Sequence, residues 1–272
     1  MSAARTALVA GAGGFIGGHL TARLLRDGWS VRAVDVRPLD AWAQRCERAR
    51  NLILDLREPT ACREAVEGCA WVFNLAADMG GMGFIETHRA DCMLNVRITA
   101  QLIDAARHAG VERYFYASSA CVYPANRQDR GDLPALREED AYPADPEDGY
   151  GWEKLFGERL CRHFFEDFGF DARAGRLHNV YGPFGAWRGG REKAPAALCR
   201  KVLEARAMAQ PRIEIWGDGS QVRSFLYVDD AVDGIMRLME SPVRGPLNIG
   251  SEERVSVDGL VDLLEALAGV RC

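Results

Sequence analysis

The chain has 272 residues, 48% hydrophobic and 27% charged, with a formal net charge of −5. That length can bury a sizeable core, and the acidic balance offers no footprint for nucleic acid. No apolar run approaches the ~20 residues that span a bilayer, and the N-terminus reaches glycine too early for a signal peptide. The eight cysteines (46, 62, 69, 92, 121, 161, 199 and 272) form no C-x-x-C pair, which predicts free thiols in a reducing cytoplasm, no membrane partner and no metal site.

Strand-like and helix-like segments alternate through the first half. Residues 6–10 ("TALVA") read as a short apolar strand. Residues 15–27 carry Ile16, Leu20 and Leu24 at helical spacing, and Gly28 stops the helix. Residues 31–36 and 71–77 read as strands, 95–109 as a helix with Ile98, Leu102, Ile103 and Ala106 on one face, and 113–117 as a further strand. Such alternation means β-α-β units around a parallel sheet. Residues 124–148 hold four prolines and many acids and read as a surface loop, followed by a helix over 150–168. The second half reads as less regular, with loops at 182–194 and 217–223 and a last amphipathic helix over 256–269.

The glycines of "VAGAGGFIGGHL", Gly11, Gly14 and Gly17, follow the first strand and open the first helix. Glycine there permits a tight turn and lets a pyrophosphate approach the helix N-terminus. Asp35 ends the next strand, 18 residues after Gly17. A carboxylate there holds both ribose hydroxyls of NAD and repels a 2′-phosphate, while Arg37 keeps NADP open. Asp55, in "LDLR", is equally consistent with an adenine contact and with a solvated strand end.

Tyr150 and Lys154 are four apart, on one helix face. A free phenol, with a pKa of about 10, needs a nearby cation to act as a base at neutral pH. The spacing alone is common by chance. With Ser119 at a strand end and the glycine turn, the set resembles the short-chain dehydrogenase/reductase superfamily, in which the serine holds the substrate oxygen, the tyrosine moves its proton and the lysine tunes the tyrosine. "HNVYGP" (178–183), "RSFLYVDD" (223–230) and "NIG" (248–250) are similar to its extended, sugar-nucleotide branch. "NLAADMGGMGF" (74–84), "YASSACVYP" (116–124) and "YGPFGAWRGGREKAPAALCRK" (181–201) resemble, within that branch, the GDP-mannose 3,5-epimerase family.

The resemblance implies a Rossmann-type α/β fold, a doubly wound parallel sheet with a small C-terminal substrate lobe. It divides the chain into an NAD-binding domain at 1–175 and an interleaved substrate-binding lobe at 176–272. The family usually continues for tens of residues further, so the lobe reads as incomplete. The implied catalytic set is Tyr150 and Lys154 for the redox step, Ser119 on O4, and Cys121 with Lys193 as an acid/base pair that inverts C3 or C5 of a GDP-sugar, the Cys121 thiolate abstracting a proton and the Lys193 cation returning one. NAD would rest on Gly11, Gly14, Phe15, Ile16, Gly17, Asp35, Asp55, Ala76, Tyr150 and Lys154. Substrate would meet Gly80, Gly81, Met82, Gly83, Ser119, Ala120, Cys121, Asn179, Lys193, Lys201 and Arg223. A cytoplasmic homodimer completes the expectation. A GDP-fucose-synthase-like epimerase-reductase is the nearest alternative, pairing the cysteine with a histidine and using NADPH. A non-catalytic dinucleotide-binding protein fits less well, because every catalytic position is filled.

Overall fold

Short apolar strands without polar alternation require cover on both faces. The structure, a computed structural model, describes residues 5–127, 134–208 and 210–272; residues 128–133 of the expected 124–148 loop lie outside them. The elements in chain order are β1 (Thr6–Ala10), α1 (Phe15–Arg26), β2 (Ser30–Asp35), β3 (Arg50–Ile53), α2 (Pro59–Val66), β4 (Trp71–Asn74), α3 (Met82–Thr87), α4 (Arg89–Met93), α5 (Val96–His108), β5 (Arg113–Ser119) and α6 (Asp148–Phe168). They continue with β6 (Ala172–Leu177), β7 (Val180–Tyr181), α7 (Ala194–Ala205), β8 (Val222–Ser224), β9 (Leu226–Tyr227), α8 (Val228–Glu240), β10 (Leu247–Ile249), β11 (Arg254–Ser256) and α9 (Val257–Ala268).

Among the described residues, seven strands form one parallel sheet in the order β10-β6-β5-β4-β1-β2-β3. The strand order reverses between β1 and β4, which leaves a crevice at their C-terminal ends, where doubly wound sheets bind ligands. Successive residues of β1 face opposite sides: Ala7 and Val9 pack with Leu20 and Leu24 of α1 and Ile235 of α8, whereas Leu8 and Ala10 pack with Cys62 of α2, Leu102 of α5 and Cys161 of α6. Each fully buried leucine contributes roughly 1.5–3 kcal/mol, so the core lies in these two layers. Beside the large sheet, β8 pairs with β11 antiparallel and β7 with β9 in parallel.

The expected 71–77 strand ends at Asn74, because the Asn74 side chain leaves the ladder: Nδ2 donates to the Tyr114 hydroxyl at 2.9 Å and Oδ1 accepts from the Ala76 N–H at 3.3 Å. The second half is more regular than expected, since β6 and β10 belong to the main sheet and α8 covers it. All of β6 except its last residue is buried, although it contains two arginines. Arg173 is neutralised by Asp171 and donates to the Met239 carbonyl, and Arg176 forks the Glu158 carboxylate at 2.9 and 2.8 Å.

Candidate active site

The cofactor end is built from backbone. Gly11 has φ +82°, and a Cβ there would stand 2.8 Å from the Leu75 carbonyl oxygen. A Cβ at Gly17 would overlap the Gly11 carbonyl, so turn and helix meet only as glycines. Gly14 precedes the first turn of α1, where Phe15 and Ile16 stand, and Ala76 lies on the segment that backs Gly11. Asp35 is 8% exposed and its carboxylate accepts from the Gly13 N–H at 3.1 Å. Arg37 occupies the same carboxylate with its backbone N–H, Nε and Nη2, each at 3.0 Å. Asp55 sits nearby on a surface turn, forked by Arg57, whose guanidinium holds the carboxyl below its usual range. A glycine cradle at a helix N-terminus, an acid closing β2 and a crevice at the switch point fit a dinucleotide.

The chemical centre gathers at the ends of β5 and α6. Ser119 closes β5, and its Oγ accepts from the Cys121 N–H at 3.2 Å. Against the larger opposing effect of burial, the same hydroxyl lowers both the Tyr150 phenol and the Cys121 thiol. Two long-range holds aim this segment. Upstream, Ser118 Oγ donates to Glu158 at 2.5 Å; downstream, Tyr123 Oη accepts from Arg176 at 2.8 Å and donates to Asn248 at 2.6 Å. Glu158 and Arg176 thus grip both ends of the stretch bearing Ser119, Ala120 and Cys121.

Lys193 stands just before α7 and lies within Coulombic reach of Cys121. It arrives there because the 80–83 segment docks its loop. The Gly81 N–H donates to the Arg191 carbonyl at 3.1 Å, and a Cβ on Gly81 would overlap the Glu192 carbonyl oxygen. Arg191 donates to Asp78 at 2.6 Å and to the Met79 carbonyl at 2.9 Å, and its guanidinium lies 3.8 Å from the centroid of the Phe84 ring. Asn95 fixes Asp78 from beneath, accepting its N–H at 2.8 Å and donating to its carbonyl at 3.0 Å. Met82 and Gly83 begin α3 at the rim.

The electrostatics differ from the sequence expectation. Burial, then the charge of Glu147, push the Cys121 thiol up to about 12; Lys193 opposes this only weakly. Burial lowers Lys193. Burial likewise raises the Tyr150 phenol well above its usual value. The Lys154 ammonium lies 3.1 Å from Glu153 Oε2 and 5.3 Å from the Tyr150 ring centroid. The remaining expected substrate residues each engage protein partners: Asn179, at φ +38°, donates to the Ser224 carbonyl at 3.1 Å, Lys201 to the Glu214 carbonyl at 2.5 Å, and Arg223 to the Val222 carbonyl at 2.8 Å.

Asp78, Glu147, Glu153, Glu158, Arg176 and Arg191 escaped the sequence reading. Only Asp78 and Arg191 left a signal, as opposite charges beside the two glycine-rich stretches that meet in space. Among the described residues no group of His, Cys, Asp and Glu could hold a metal ion, and no helix is long and apolar enough to cross a membrane.

The chain is 47% identical over 257 residues to a GDP-mannose 3,5-epimerase of Arabidopsis thaliana, a match covering 94% of this chain and 67% of that protein. Among solved structures, MoeE5 in complex with UDP-glucose and NAD is similar at TM-score 0.77 and 32% identity, covering 98% of this chain and 83% of that one. A UDP-glucose 4-epimerase of Thermotoga maritima shares the fold at TM-score 0.83 and 23% identity, covering 98% and 84%. The family described as the NAD dependent epimerase/dehydratase family matches residues 7–250, and with the glycine cradle and the Ser119–Tyr150–Lys154 set in place, the chain belongs to that family.

Proposed function

We propose that the protein is an NAD-dependent sugar-nucleotide epimerase that converts GDP-D-mannose to GDP-L-galactose, with GDP-L-gulose as the product of C5 inversion alone. The observation that carries this reading is Lys193 placed within Coulombic reach of Cys121, which itself adjoins Ser119 and Tyr150. A 4-epimerase needs no such pair. The cofactor would rest on the Gly11–Gly17 turn, Asp35 and Lys154, and when bound it supplies the oxidation of C4 and its reversal. Ser119 donates to O4, and Tyr150 takes the O4 proton and later returns it. A ketone at C4 acidifies the C–H bonds at C3 and C5. Cys121 and Lys193, on opposite faces of the ring, then remove a proton from one face and deliver one to the other.

The thiol and the amine share one proton and titrate as a pair. Burial favours the uncharged arrangement, thiol plus amine, over thiolate plus ammonium. Burial thus works against the assignment in which the Cys121 thiolate abstracts, and the pH profile of exchange decides which member of the pair is the base. Gly80 to Gly83 roof the sugar, while Asn179, Lys201 and Arg223 turn toward the diphosphate when substrate arrives. The alternative epimerase-reductase would set a histidine against the thiol; among the described residues the cation facing it is Lys193.

The reading also carries an NAD-binding domain at 1–175, a substrate lobe at 176–272 and a cytoplasmic homodimer. Trp152 and Phe156, one turn apart on α6 and 47% and 45% exposed, form an apolar face of the kind a second copy covers; sedimentation checks it. The deciding experiment is NMR of GDP-mannose with NAD and the protein in deuterated water. Deuterium should enter C3 and C5. Cys121→Ser should lower that entry by ~10²- to 10⁴-fold while 4-keto sugar still forms, and Tyr150→Phe should stop both. Exchange at the parental rate in Cys121→Ser would reduce the thiol to packing.

A further inference from the structure

Residues adjacent on a helix point about 100° apart and do not ordinarily pair. Glu153 and Lys154 of α6 do. Lys154 Nζ lies 3.1 Å from Glu153 Oε2, and the two side chains are 4% and 0% exposed. Taking two charges out of water is costly, and the attraction between them often returns less than that cost. An ion pair so deeply buried, between neighbours that should diverge, therefore calls for a role.

The carboxylate is aimed from the sheet. The Tyr116 hydroxyl, on β5, donates to Glu153 Oε1 at 2.9 Å. Tyr116 reaches it through a gap in the helix surface: a Cβ on Gly157, one turn further along α6, would stand 2.2 Å from Tyr116 Cζ. With Oε1 taken, Oε2 is left for the ammonium, and it makes no hydrogen bond. Charge alone thus holds Lys154, and its N–H donors stay available. The ammonium stands 5.0 Å from the Tyr116 ring centroid and 5.3 Å from that of Tyr150. Among the described residues Glu153 is the carboxylate that pairs with Lys154. Tyr114 and Tyr116 of β5, Cys92 of α4 and Tyr150 of α6 also lie within Coulombic reach of Glu153, and burial favours the neutral form of all four.

We propose that Glu153 is a positioning residue for C4 oxidation: its carboxylate, aimed by Tyr116, is the counter-charge that holds the buried Lys154 ammonium beside Tyr150 with its donors free for the phenol and the cofactor. Glu153 acts through Lys154. Its fully buried side chain touches neither sugar nor cofactor, and no proton or electron passes through it. This rests on Tyr150 and Lys154 serving the redox step.

A double-mutant cycle tests this, with C4 oxidation read as the transient NADH absorbance in a single turnover of GDP-mannose with NAD. Glu153→Gln keeps the shape and the Tyr116 bond but removes the charge. It should slow C4 oxidation by ~10-fold, less than the ~10²- to 10⁴-fold lost with a group that moves the proton itself, and leave the KM for GDP-mannose unchanged. Lys154→Met should slow the step by ~10²-fold or more. Adding Glu153→Gln to Lys154→Met should slow it no further, because Glu153 then has nothing to hold. The double variant should also melt above Lys154→Met, which leaves a buried carboxylate unpaired. Parental C4 oxidation in Glu153→Gln, losses that multiply in the double variant, or a double variant no more stable than Lys154→Met would each overturn the role of Glu153. Parental C4 oxidation in Lys154→Met would instead remove the redox assignment beneath it, whatever Glu153→Gln does.

Discussion

The cofactor end and the acid/base end of this site are built by different means. The first is made almost wholly of one short stretch, Gly11 to Gly17, held against the Leu75 carbonyl, and its companion Asp35 comes from the neighbouring strand. The second needs Ser119, Cys121, Tyr150 and Lys193 from distant parts of the chain, with Gly81 meeting Arg191 and Glu192 across more than a hundred residues. Backbone sterics set the first; charge pairs and close glycine contacts set the second. The dinucleotide site should therefore tolerate disturbances that disable proton exchange.

The largest disturbance expected is Glu158→Gln. It leaves the Arg176 guanidinium buried beside a neutral amide. Breaking one partner of a buried pair costs ~3–5 kcal/mol, a drop in Tm of roughly 10 °C for a chain of this size. Below that Tm, NAD should still bind while C–H exchange slows, because Ser118 and Tyr123 lose their common anchor. Equal losses of NAD binding and exchange, by calorimetry and NMR, would erase the contrast between the two ends.

Gly81→Ala should act on one end alone. The added carbon overlaps the Glu192 carbonyl and must push the Lys193 loop outward. A displacement of about 1 Å at a reacting group costs ~10²-fold. Exchange should fall by that factor with NAD affinity and Tm unchanged. An unchanged exchange rate would show that the loop seats by another route.

The pH profile sharpens the contrast further. An ordinary thiol begins to ionise near pH 8.5, but Cys121 is pushed up to about 12 and Lys193 is lowered. If the working form is thiol plus amine, exchange rises with pH as Lys193 loses its proton. It should not decline between pH 8 and 10, since the thiol stays protonated there. A fall across that window would place the thiol near its ordinary value and favour the thiolate assignment.

The smallest effect belongs to Arg37→Ala. Its guanidinium is 44% exposed and holds the Asp35 carboxylate. A pair of this exposure is worth at most ~1 kcal/mol. Freeing Asp35 should tighten NAD binding by a few-fold and weaken NADP binding, measured by calorimetry. Tighter NADP binding in the variant would mean that Arg37 is not the 2′-phosphate contact.

The same contrast explains what the sequence disclosed. The glycine turn, β1, α1 and the helix carrying Tyr150 and Lys154 follow from local spacing, and they stand where expected. The strand β6 did not show itself, because "ARAGRL" has no apolar run; its arginines are buried only because Asp171, Glu158 and the carbonyl of Met239 lie around them. The helix α8 carries Val228, Ala231, Val232, Ile235, Met236 and Met239 at helical spacing, a signal hidden by reading its first residues as part of a motif. The convergence of Cys121 with Lys193 came from the family resemblance. Which way the pair is protonated did not, since it depends on burial and on Glu147. Burial likewise works against the simple expectation that Tyr150 is lowered.

The clasp between the 78–84 and 191–193 segments makes the lysine arm separable from its sheet. One backbone hydrogen bond, the Arg191 bonds to Asp78 and to the Met79 carbonyl, and the stacking of Arg191 on Phe84 hold it; no strand of the arm enters the main sheet. An engineer moving this chemistry into a 4-epimerase frame therefore has to transplant a plug and its socket together. The lysine loop by itself would meet a side chain where Gly81 leaves room, and would hang in solvent with its amine charged and idle.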